Sequence, residues 1–319
     1  MRGAALLQWI WPFGMRCPKC EFDHELQTSE CLKCGIVFAR YQAVQDGAAK
    51  AAVLAGPAPV ECPERVTARN EAVRELTYRI FALPLALLVA RVVAGTGLRM
   101  AASMLAMVLH ESGHAITAWL TGRWAVPLLW VTPHGEERSW SVVLILTTAI
   151  VFGGFQAWKA RRWAWVFAAS GALILQVTVL SLPAEPLIIF FGDGGAMVLA
   201  ALLMATFFAP RESALYKSWG LRWGLLVIGA LSFMHVFLTW TGPYEDIPFG
   251  EIEGVNLSDP SLLTEMYGWP VTQLVDRYVR LGTACLVVLL GLYLWGLVSA
   301  YLEIRRSAAR NKQRIVANQ

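Results

Sequence analysis

The chain has 319 residues, of which 56% are hydrophobic and only 16% are charged, and its mean hydropathy is +0.50. Soluble globular proteins carry about 25% charged residues, so this composition excludes an ordinary soluble domain and indicates an integral membrane protein. The net charge of +4 is small and lies in loops, so it bears on topology, and we expect no nucleic-acid partner. Six cysteines are present, and their spacing does not indicate a disulfide framework.

Two cysteine pairs near the N-terminus predict a structural zinc site. Cys17-Pro-Lys-Cys20 and Cys31-Leu-Lys-Cys34 are separated by ten residues. Four thiolates complete a tetrahedral site with no position left for water, and so short a segment needs a metal because it cannot build a stable core. Residues 15–42 are therefore similar to a zinc ribbon. We expect this ribbon to bind one Zn²⁺ and a protein partner; the alternative is a redox dithiol pair.

Apolar segments dominate the rest of the chain, after a linker and juxtamembrane helix predicted at 43–79. Several reach the roughly 20 residues needed to cross a hydrocarbon core of about 30 Å. The predicted fold is an all-α polytopic membrane protein with about six transmembrane helices at 80–304, a short membrane-embedded strand or hairpin, the N-terminal zinc ribbon and a basic cytoplasmic tail at 305–319. The candidate segments are 80–97, 98–121, 139–157, 163–182, 187–209, 219–241 and 280–302.

The distribution of charge predicts the orientation of these segments. The tail after Glu303 is basic, whereas residues 241–270 hold six acids and no Lys or Arg. By the positive-inside rule the tail faces the cytoplasm and the acidic loop faces outward. A cytoplasmic N-terminus then requires an even number of spans. Because 80–97 contains Pro84 and Arg91, we expect this segment to be re-entrant, interfacial or broken, and the following helix to begin on the inside.

That following helix carries the sequence His110-Glu111-Ser112-Gly113-His114. Residues four apart in a helix lie on one face, about 6 Å apart along the axis, so both imidazoles can bind one metal ion. Glu111 then lies beside the metal as a candidate general base. The pattern occurs by chance in soluble sequences, but ionisable residues inside an apolar segment are costly and indicate function.

A third ligand is needed, because catalytic zinc normally takes three protein ligands and keeps one position for water. The best candidate is Asp193, which is flanked by Gly192 and by Gly194-Gly195. A helix-capping role is the alternative for Asp193, and Glu185 and His134 are its rivals as ligand. His235 is expected to be a helix-packing residue.

With these two motifs the chain resembles the site-2 protease family of intramembrane zinc metallopeptidases. The resemblance covers His110–Gly122 and Asp193–Gly195, and more loosely residues 98–210. It implies that His110, His114 and Asp193 bind a catalytic Zn²⁺.

The resemblance also implies roles for the residues around the metal. Glu111 would take a proton from water and later give it to the leaving amine. Trp124–Thr132 would form a strand or hairpin that holds an unfolded substrate by edge pairing.

The expected function is that of a membrane-embedded zinc endopeptidase that cleaves within or beside a transmembrane segment of a membrane protein substrate, in regulated intramembrane proteolysis. The alternative is a non-proteolytic membrane protein that uses the metal structurally and recruits a partner through the ribbon. An ion transporter would call for more intramembrane acids and histidines. We expect a bacterial inner-membrane location, with both termini in the cytoplasm because the ribbon thiolates must stay reduced. No cleavable signal peptide is expected in residues 4–15, which are apolar but few.

Overall fold

The computed structural model describes residues 15–17, 19–24, 29–45, 63–210, 213–250, 252–253 and 256–317. Residues 4–14 and most of the predicted linker lie outside the described residues, and the predictions made for them stay predictions. The chain divides into two units, Met1–Ala68 and Arg69–Gln319.

The first unit has a very small core. Cys17, Cys31 and Phe38 are its buried apolar side chains, with Cys20, Cys34 and Ile36 packed against them. An isolated antiparallel bridge joins Glu30 to Val37. Its regular elements are an antiparallel pair of short strands, β1 (Met15–Arg16) and β2 (Asp23–His24), and helix α1 (Phe38–Gln45).

The second unit is helical. Its helices in chain order are α2 (Pro63–Ala94, of which the part from Arg69 belongs to this unit), α3 (Arg99–Leu120), α4 (Trp140–Lys159), α5 (Trp163–Leu180), α6 (Ala184–Phe190), α7 (Asp193–Ala205), α8 (Trp219–Thr241) and α9 (Val271–Ala317). Short elements connect them: helical turns at Thr206–Phe208, Ala214–Lys217 and Tyr244–Asp246, a hairpin of β3 (Ile252–Glu253) with β4 (Asn256–Leu257), and a turn at Asp259–Ser261 that continues into a π-helix at Leu262–Met266.

Among the described residues, five helices are long and apolar enough to cross a membrane. The bent pair of α6 and α7, which meet at 55°, raises this number to six if it counts as one broken span. The five are residues Asn70–Ala94 of α2, all of α4, α5 and α8, and Val271–Arg306 of α9. The prediction of an all-α polytopic membrane protein with about six transmembrane helices is confirmed.

The segment at 80–97 was predicted wrongly. Residues up to Ala94 belong to one continuous helix that holds Pro84 in its interior. Transmembrane helices tolerate a proline because neighbouring groups satisfy the freed carbonyl. The helix that falls short of the requirements for a span is instead α3, whose polar side chains, His110, Glu111 and His114 among them, lower its hydropathy.

Helix α7 lies at the centre of this unit, packed against α3, α8 and α9. Its side chains Met197 and Met204 are fully buried. Where α7 meets α3, Gly195 and Gly113 face each other, and a Cβ added to Gly195 would lie 2.5 Å from the Cα of Gly113. Two glycines therefore let the two backbones touch at this crossing.

Helices α4 and α5 form a hairpin that packs mainly on itself. Only 6% of the α4 span and 11% of the α5 span are buried. The start of α4 and the end of α5 lie close together. Arg138, just before α4, donates through Nη2 to the carbonyl of Leu180 at 2.7 Å and through Nε to the carbonyl of Thr121 at 3.3 Å. The last turns of α3 and α5 are thus joined by one side chain.

A buried group of charges, here called the ion cluster, joins α2 to α8. Glu75 accepts hydrogen bonds from Arg79 at 2.7 Å and from both terminal nitrogens of Arg222 at 2.7 and 2.9 Å. Arg222 also donates to the carbonyl of Phe207, and Arg79 to that of Gly296. The ion cluster therefore lies in the first half of α2, near the start of α8, just after the end of α7 and beside the second half of α9.

Candidate metal centre

Helix α3 directs two imidazoles to one point. The Nε2 atoms of His110 and His114 lie 3.0 Å apart, and both side chains are largely buried. This is the arrangement that the four-residue spacing predicts.

A carboxylate from the acidic loop faces both imidazoles. The Oδ2 atom of Asp259 lies 3.4 Å from Nε2 of His110 and 3.1 Å from Nε2 of His114. Each residue offers one ligand atom, and the three atoms lie within 4.8 Å of one another, so this group, here called the His/Asp cluster, could hold a metal ion. Zinc at about 2.0–2.1 Å from tetrahedral ligands separates them by about 3.3 Å, which these distances match.

Asp193 does not join the His/Asp cluster. Its Oδ1 lies 2.9 Å from Nδ1 of His110, on the far side of the ring, and its Oδ2 accepts a hydrogen bond from Nε1 of Trp240 at 2.7 Å. The structure therefore places Asp259, and not the predicted Asp193, with the two Nε2 atoms, while the carboxylate of Asp193 lies behind the His110 imidazole. Sequence reasoning missed Asp259.

The partners of the Nδ1 atoms fix the tautomers of both histidines. A carbonyl can only accept, so the 2.8 Å contact between Nδ1 of His114 and the carbonyl of Ile188 places a proton on Nδ1. The carboxylate of Asp193 does the same for Nδ1 of His110. In the neutral rings both Nε2 atoms then carry free lone pairs directed at Asp259, which is how metal-binding histidines are usually oriented.

Gly192, the residue before α7, allows these groups to approach. A Cβ at this position would lie 2.5 Å from Oδ2 of Asp259 and 2.6 Å from the Cε1 atoms of His110 and His114. Only glycine leaves room for the ligands. Gly192 therefore lets the side chains of His110, His114 and Asp259 approach the backbone.

Glu111 lies next to the His/Asp cluster on the wall of a cavity. It is buried, and Thr132 donates through Oγ1 to its Oε2 at 2.7 Å and to its backbone carbonyl at 2.9 Å. The cavity, here called the Glu111 cavity, measures about 380 Å³ and is also lined by His110, His114 and Asp259. A molecule bound in this cavity would contact both the His/Asp cluster and the carboxylate of Glu111.

The segment after α3 forms the predicted hairpin. Ala125 bridges to His134, Val126 donates its N–H to Pro133 at 3.1 Å, and Leu128 donates to Val131 at 3.1 Å. Apolar side chains at its tip are about half exposed, and the residues that border the Glu111 cavity are Trp130, Val131 and Thr132. The hairpin thus places an extended edge beside the candidate site.

The two rival ligands, Glu185 and His134, pair with each other. Nε2 of His134 lies 3.1 Å from Oε1 of Glu185, and Arg123 also donates to that carboxylate. The hydrogen bond that His134 donates to Glu185 raises the pKa of His134 above its ordinary value, although burial opposes the shift. Both residues line the Glu111 cavity but stay outside the His/Asp cluster.

A second cavity reaches the cluster from the other side. It measures about 480 Å³, and its polar lining includes Arg99, His235 and Asp246 together with His110 and Asp259. His235 does not belong to the ligand group. The cluster is accordingly flanked by two cavities.

The four predicted cysteines come together in the first unit. Sγ of Cys17 lies 3.7 Å from that of Cys34, and Sγ of Cys20 lies 3.6 Å from that of Cys31. These distances are too long for disulfides and close to the roughly 3.8 Å expected between thiolates 2.3 Å from one zinc ion. Burial raises the pKa of Cys17, but backbone N–H groups of Cys20 and Lys19 outweigh it and lower that pKa to about 6. The group could hold a metal ion.

Comparison with known proteins adds no further information about the site: no protein-family model, curated protein or solved structure matches the chain. The described residues establish a helical fold compatible with an integral membrane protein and two groups of side chains that could hold metal ions.

Proposed function

We propose that the protein is a membrane-embedded zinc endopeptidase, similar to site-2 proteases, that cleaves a membrane protein substrate within or beside a transmembrane segment. The observation that carries the proposal is the convergence of three ligand atoms, from His110, His114 and Asp259, on one point beside Glu111. Regulated release of part of the substrate is the physiological role that we assign to it.

The donor set favours zinc with an open coordination position. Two imidazole nitrogens and one carboxylate oxygen are a ligand set of catalytic zinc, whereas structural sites are closed by four protein ligands. Zinc bound there supplies a Lewis acid that polarises the scissile carbonyl and lowers the pKa of water. The four cysteines form the second, closed zinc site.

Glu111 acts as the general base and then as the general acid. Its carboxylate takes a proton from the attacking water and later delivers it to the leaving amine. Thr132 fixes this carboxylate by a hydrogen bond of 2.7 Å. Because Thr132 belongs to the hairpin, the same residue connects the base to the edge along which the substrate lies.

The hairpin holds the substrate in an extended form. A peptide bond inside a helix is shielded by the turns around it, so a transmembrane segment must unwind before it is cut. Backbone groups at the edge of Trp130–Thr132 can pair with an unwound strand, which is a common mode of peptide recognition. The exposed apolar tip of the hairpin keeps this edge in contact with lipid.

The ribbon recruits a protein partner, and we place the protein in a bacterial inner membrane with both termini in the cytoplasm. Basic residues in the C-terminal tail support this orientation. Reduced thiolates in the ribbon support it independently.

The test compares wild-type protein with Glu111→Gln in native membranes. New N-termini of membrane proteins, identified by amine labelling and mass spectrometry, should appear with the wild type and disappear with Glu111→Gln, while both forms retain two zinc ions per chain. Glu137→Gln, at an exposed position in the same region, serves as the matched control and should cleave normally. Undiminished cleavage by Glu111→Gln would sink the proposal.

One observation favours a second candidate, a non-proteolytic protein with a structural metal. Asp259 belongs to the acidic loop, so a bound metal joins that loop to α3 and could serve only to fasten it. Under this alternative, wild type and Glu111→Gln give identical N-termini, and metal removal makes the chain around Asp259 more sensitive to proteolysis.

A further inference from the structure

We propose that α3 does not cross the membrane but lies along the acidic-loop end of the bundle, so that the metal centre opens to the outer face. The placement of α3 follows from contacts that do not involve catalysis. Its meaning for the substrate rests on the proposed peptidase function.

The ion cluster marks one end of the bundle and the metal centre marks the other. Eighteen residues of α8 separate Arg222 in the ion cluster from Trp240, which holds Asp193 behind His110. The same number of residues of α9 separates Gly296 from Tyr278, which stacks on Trp240 with ring centroids 4.0 Å apart. Eighteen residues of helix rise about 27 Å, close to the roughly 30 Å of a hydrocarbon core. The metal centre therefore lies close to one membrane surface.

Helix α3 begins at that surface. Arg99, its first residue, lines a small cavity together with Ala94 at the end of α2 and with Gly242 and Asp246 just after α8. These residues mark the end of the bundle from which the acidic loop emerges.

Helix α3 also ends at that surface. Arg123, just after it, pairs with Glu185 in the first turn of α6, and Leu257 and Leu262 of the acidic loop line the same cavity as Glu185. Phe190 at the other end of α6 lies against Trp269, with ring centroids 5.8 Å apart. Both ends of α3 thus reach residues of one loop.

A crossing α3 would contradict these contacts. Its 22 residues would rise about 33 Å and carry its last turn from the acidic-loop end to the depth of the ion cluster. Six spans remain when α3 is set aside and α6–α7 counts as one. That even number of spans places both termini on the same side of the membrane. The proposal also replaces the expectation that the His110 helix begins inside, because α3 now begins at the outer surface.

The positive-inside rule identifies the outer side. Lys159, Arg161 and Arg162 lie at the turn of the α4–α5 hairpin, far from its base at Arg138, and the basic tail follows the end of α9 that passes the ion cluster. The loop above the metal centre holds six acids and no Lys or Arg. Substrate therefore enters from outside, and the segment cut is the outer juxtamembrane part of a membrane protein.

Thiol labelling tests the placement. Leu98→Cys and Glu137→Cys, at exposed positions before and after α3, are treated in intact cells with a membrane-impermeant maleimide, and the labelled peptides are quantified by mass spectrometry. Both should label as fully as Glu245→Cys in the acidic loop. Lys159→Cys should label only after the membrane is opened.

Labelling of Leu98→Cys and Glu137→Cys from opposite sides would overturn the proposal, as would labelling of both only in opened cells. Each variant must retain its zinc; if one does not, Met100→Cys or Glu136→Cys, which are also exposed, replaces it. The experiment is repeated on Glu111→Gln, because labelling does not depend on activity. Same-side labelling without any cleavage would refute the peptidase and leave the placement standing.

Discussion

The second unit buries two polar groups, the ion cluster at one end and the His/Asp cluster at the other. The two groups differ in the balance of donors and acceptors that they bring together. In the ion cluster, the carboxylate of Glu75 faces two guanidinium groups, and Nη1 of Arg79 and Nε of Arg222 each donate to a backbone carbonyl. In the His/Asp cluster, two lone pairs and a carboxylate face one another at 3.0–3.4 Å. In the first group one carboxylate lies between two guanidinium groups, whereas the second brings together three atoms that could bind a metal ion.

This difference separates a structural role from a binding role. Buried charges that find their partners inside the protein fix the packing of helices, and removing one partner is costly. Buried acceptors held together by surrounding groups, here Asp193, Ile188 and Gly192, keep a site ready for a ligand. Substitutions in the ion cluster should consequently change the unfolding midpoint, and substitutions in the His/Asp cluster should change the zinc content.

The largest effect is expected at Asp259. Asp259→Asn should remove the membrane zinc, reduce the zinc content from two ions per chain to one, and abolish cleavage. Asp193→Asn should keep the ion with about 10- to 100-fold weaker affinity, because an orienting partner and not a ligand is changed. Zinc analysis and competition with a chromophoric chelator measure both, and Asp246→Asn is the matched control. Loss of zinc from Asp193→Asn together with its retention in Asp259→Asn would reverse the assignment.

The next effect concerns the ion cluster. Glu75 and Arg222 are only 4% and 2% exposed, so Glu75→Gln leaves buried guanidinium groups without a counter-charge and should destabilise the protein by about 3–5 kcal/mol. The midpoint of thermal unfolding in lipid nanodiscs should fall, while the zinc content of the folded fraction stays unchanged. Glu71→Gln, one turn earlier and exposed, should change stability by less than about 0.5 kcal/mol. A zinc loss as large as that of Asp259→Asn would mean that the two ends are not independent.

A smaller effect is expected where α3 crosses α7. A Cβ at Gly113 would overlap the carbonyl oxygen of Phe191 and lie 3.0 Å from the Cα of Gly195, so Gly113→Ala must push the helices apart and should cost about 1–3 kcal/mol. Because the two helices carry His110 and Asp193, zinc affinity should fall in parallel with the unfolding midpoint. Gly171→Ala, which meets nothing within 4 Å, is the control. An unchanged zinc affinity in Gly113→Ala would indicate that the cluster does not depend on this crossing.

The smallest effect is a dependence of stability on pH. Because Glu185 raises the pKa of His134 in the folded protein, their ion pair contributes fully below the ordinary histidine pKa of about 6.5 and is lost as pH rises through the raised value. Unfolding midpoints of wild type and His134→Asn should therefore differ most at pH 5.5 and converge as the pH rises past the raised pKa. The partly exposed pair should contribute less than about 1 kcal/mol. A difference that grows with pH would contradict the assignment.

Sequence reasoning succeeded where ligands are close in the chain. Cys17 to Cys34 span one short segment, and His110 and His114 share one helical face, so spacing alone brings each set together. Asp259 lies in a loop with five other acids, and no periodicity relates a loop residue to a helix that ends long before it. Its neighbour Pro260 marks the start of a helical turn, but this common signal does not identify a ligand.

The wrong choice of the non-crossing segment has a similar cause. Pro84 and Arg91 predict a break, but the apolar residues around them give an 18-residue stretch within Asn70–Ala94 a mean hydropathy of 1.8. The polar residues of the His110 helix indicate functional groups if that helix spans the membrane. They are equally a reason for a helix to stay at the surface, and only its contacts at both ends distinguish the two.

The α4–α5 hairpin has a practical consequence. Its helices present most of their surface to the surroundings, so acyl chains, and not the rest of the protein, supply most of its contacts. Arg138 connects the base of this hairpin to the last turn of the helix that carries the histidines. If the His/Asp cluster binds zinc as we propose, its affinity should depend on bilayer thickness and lipid composition, and should differ between detergent and a lipid bilayer.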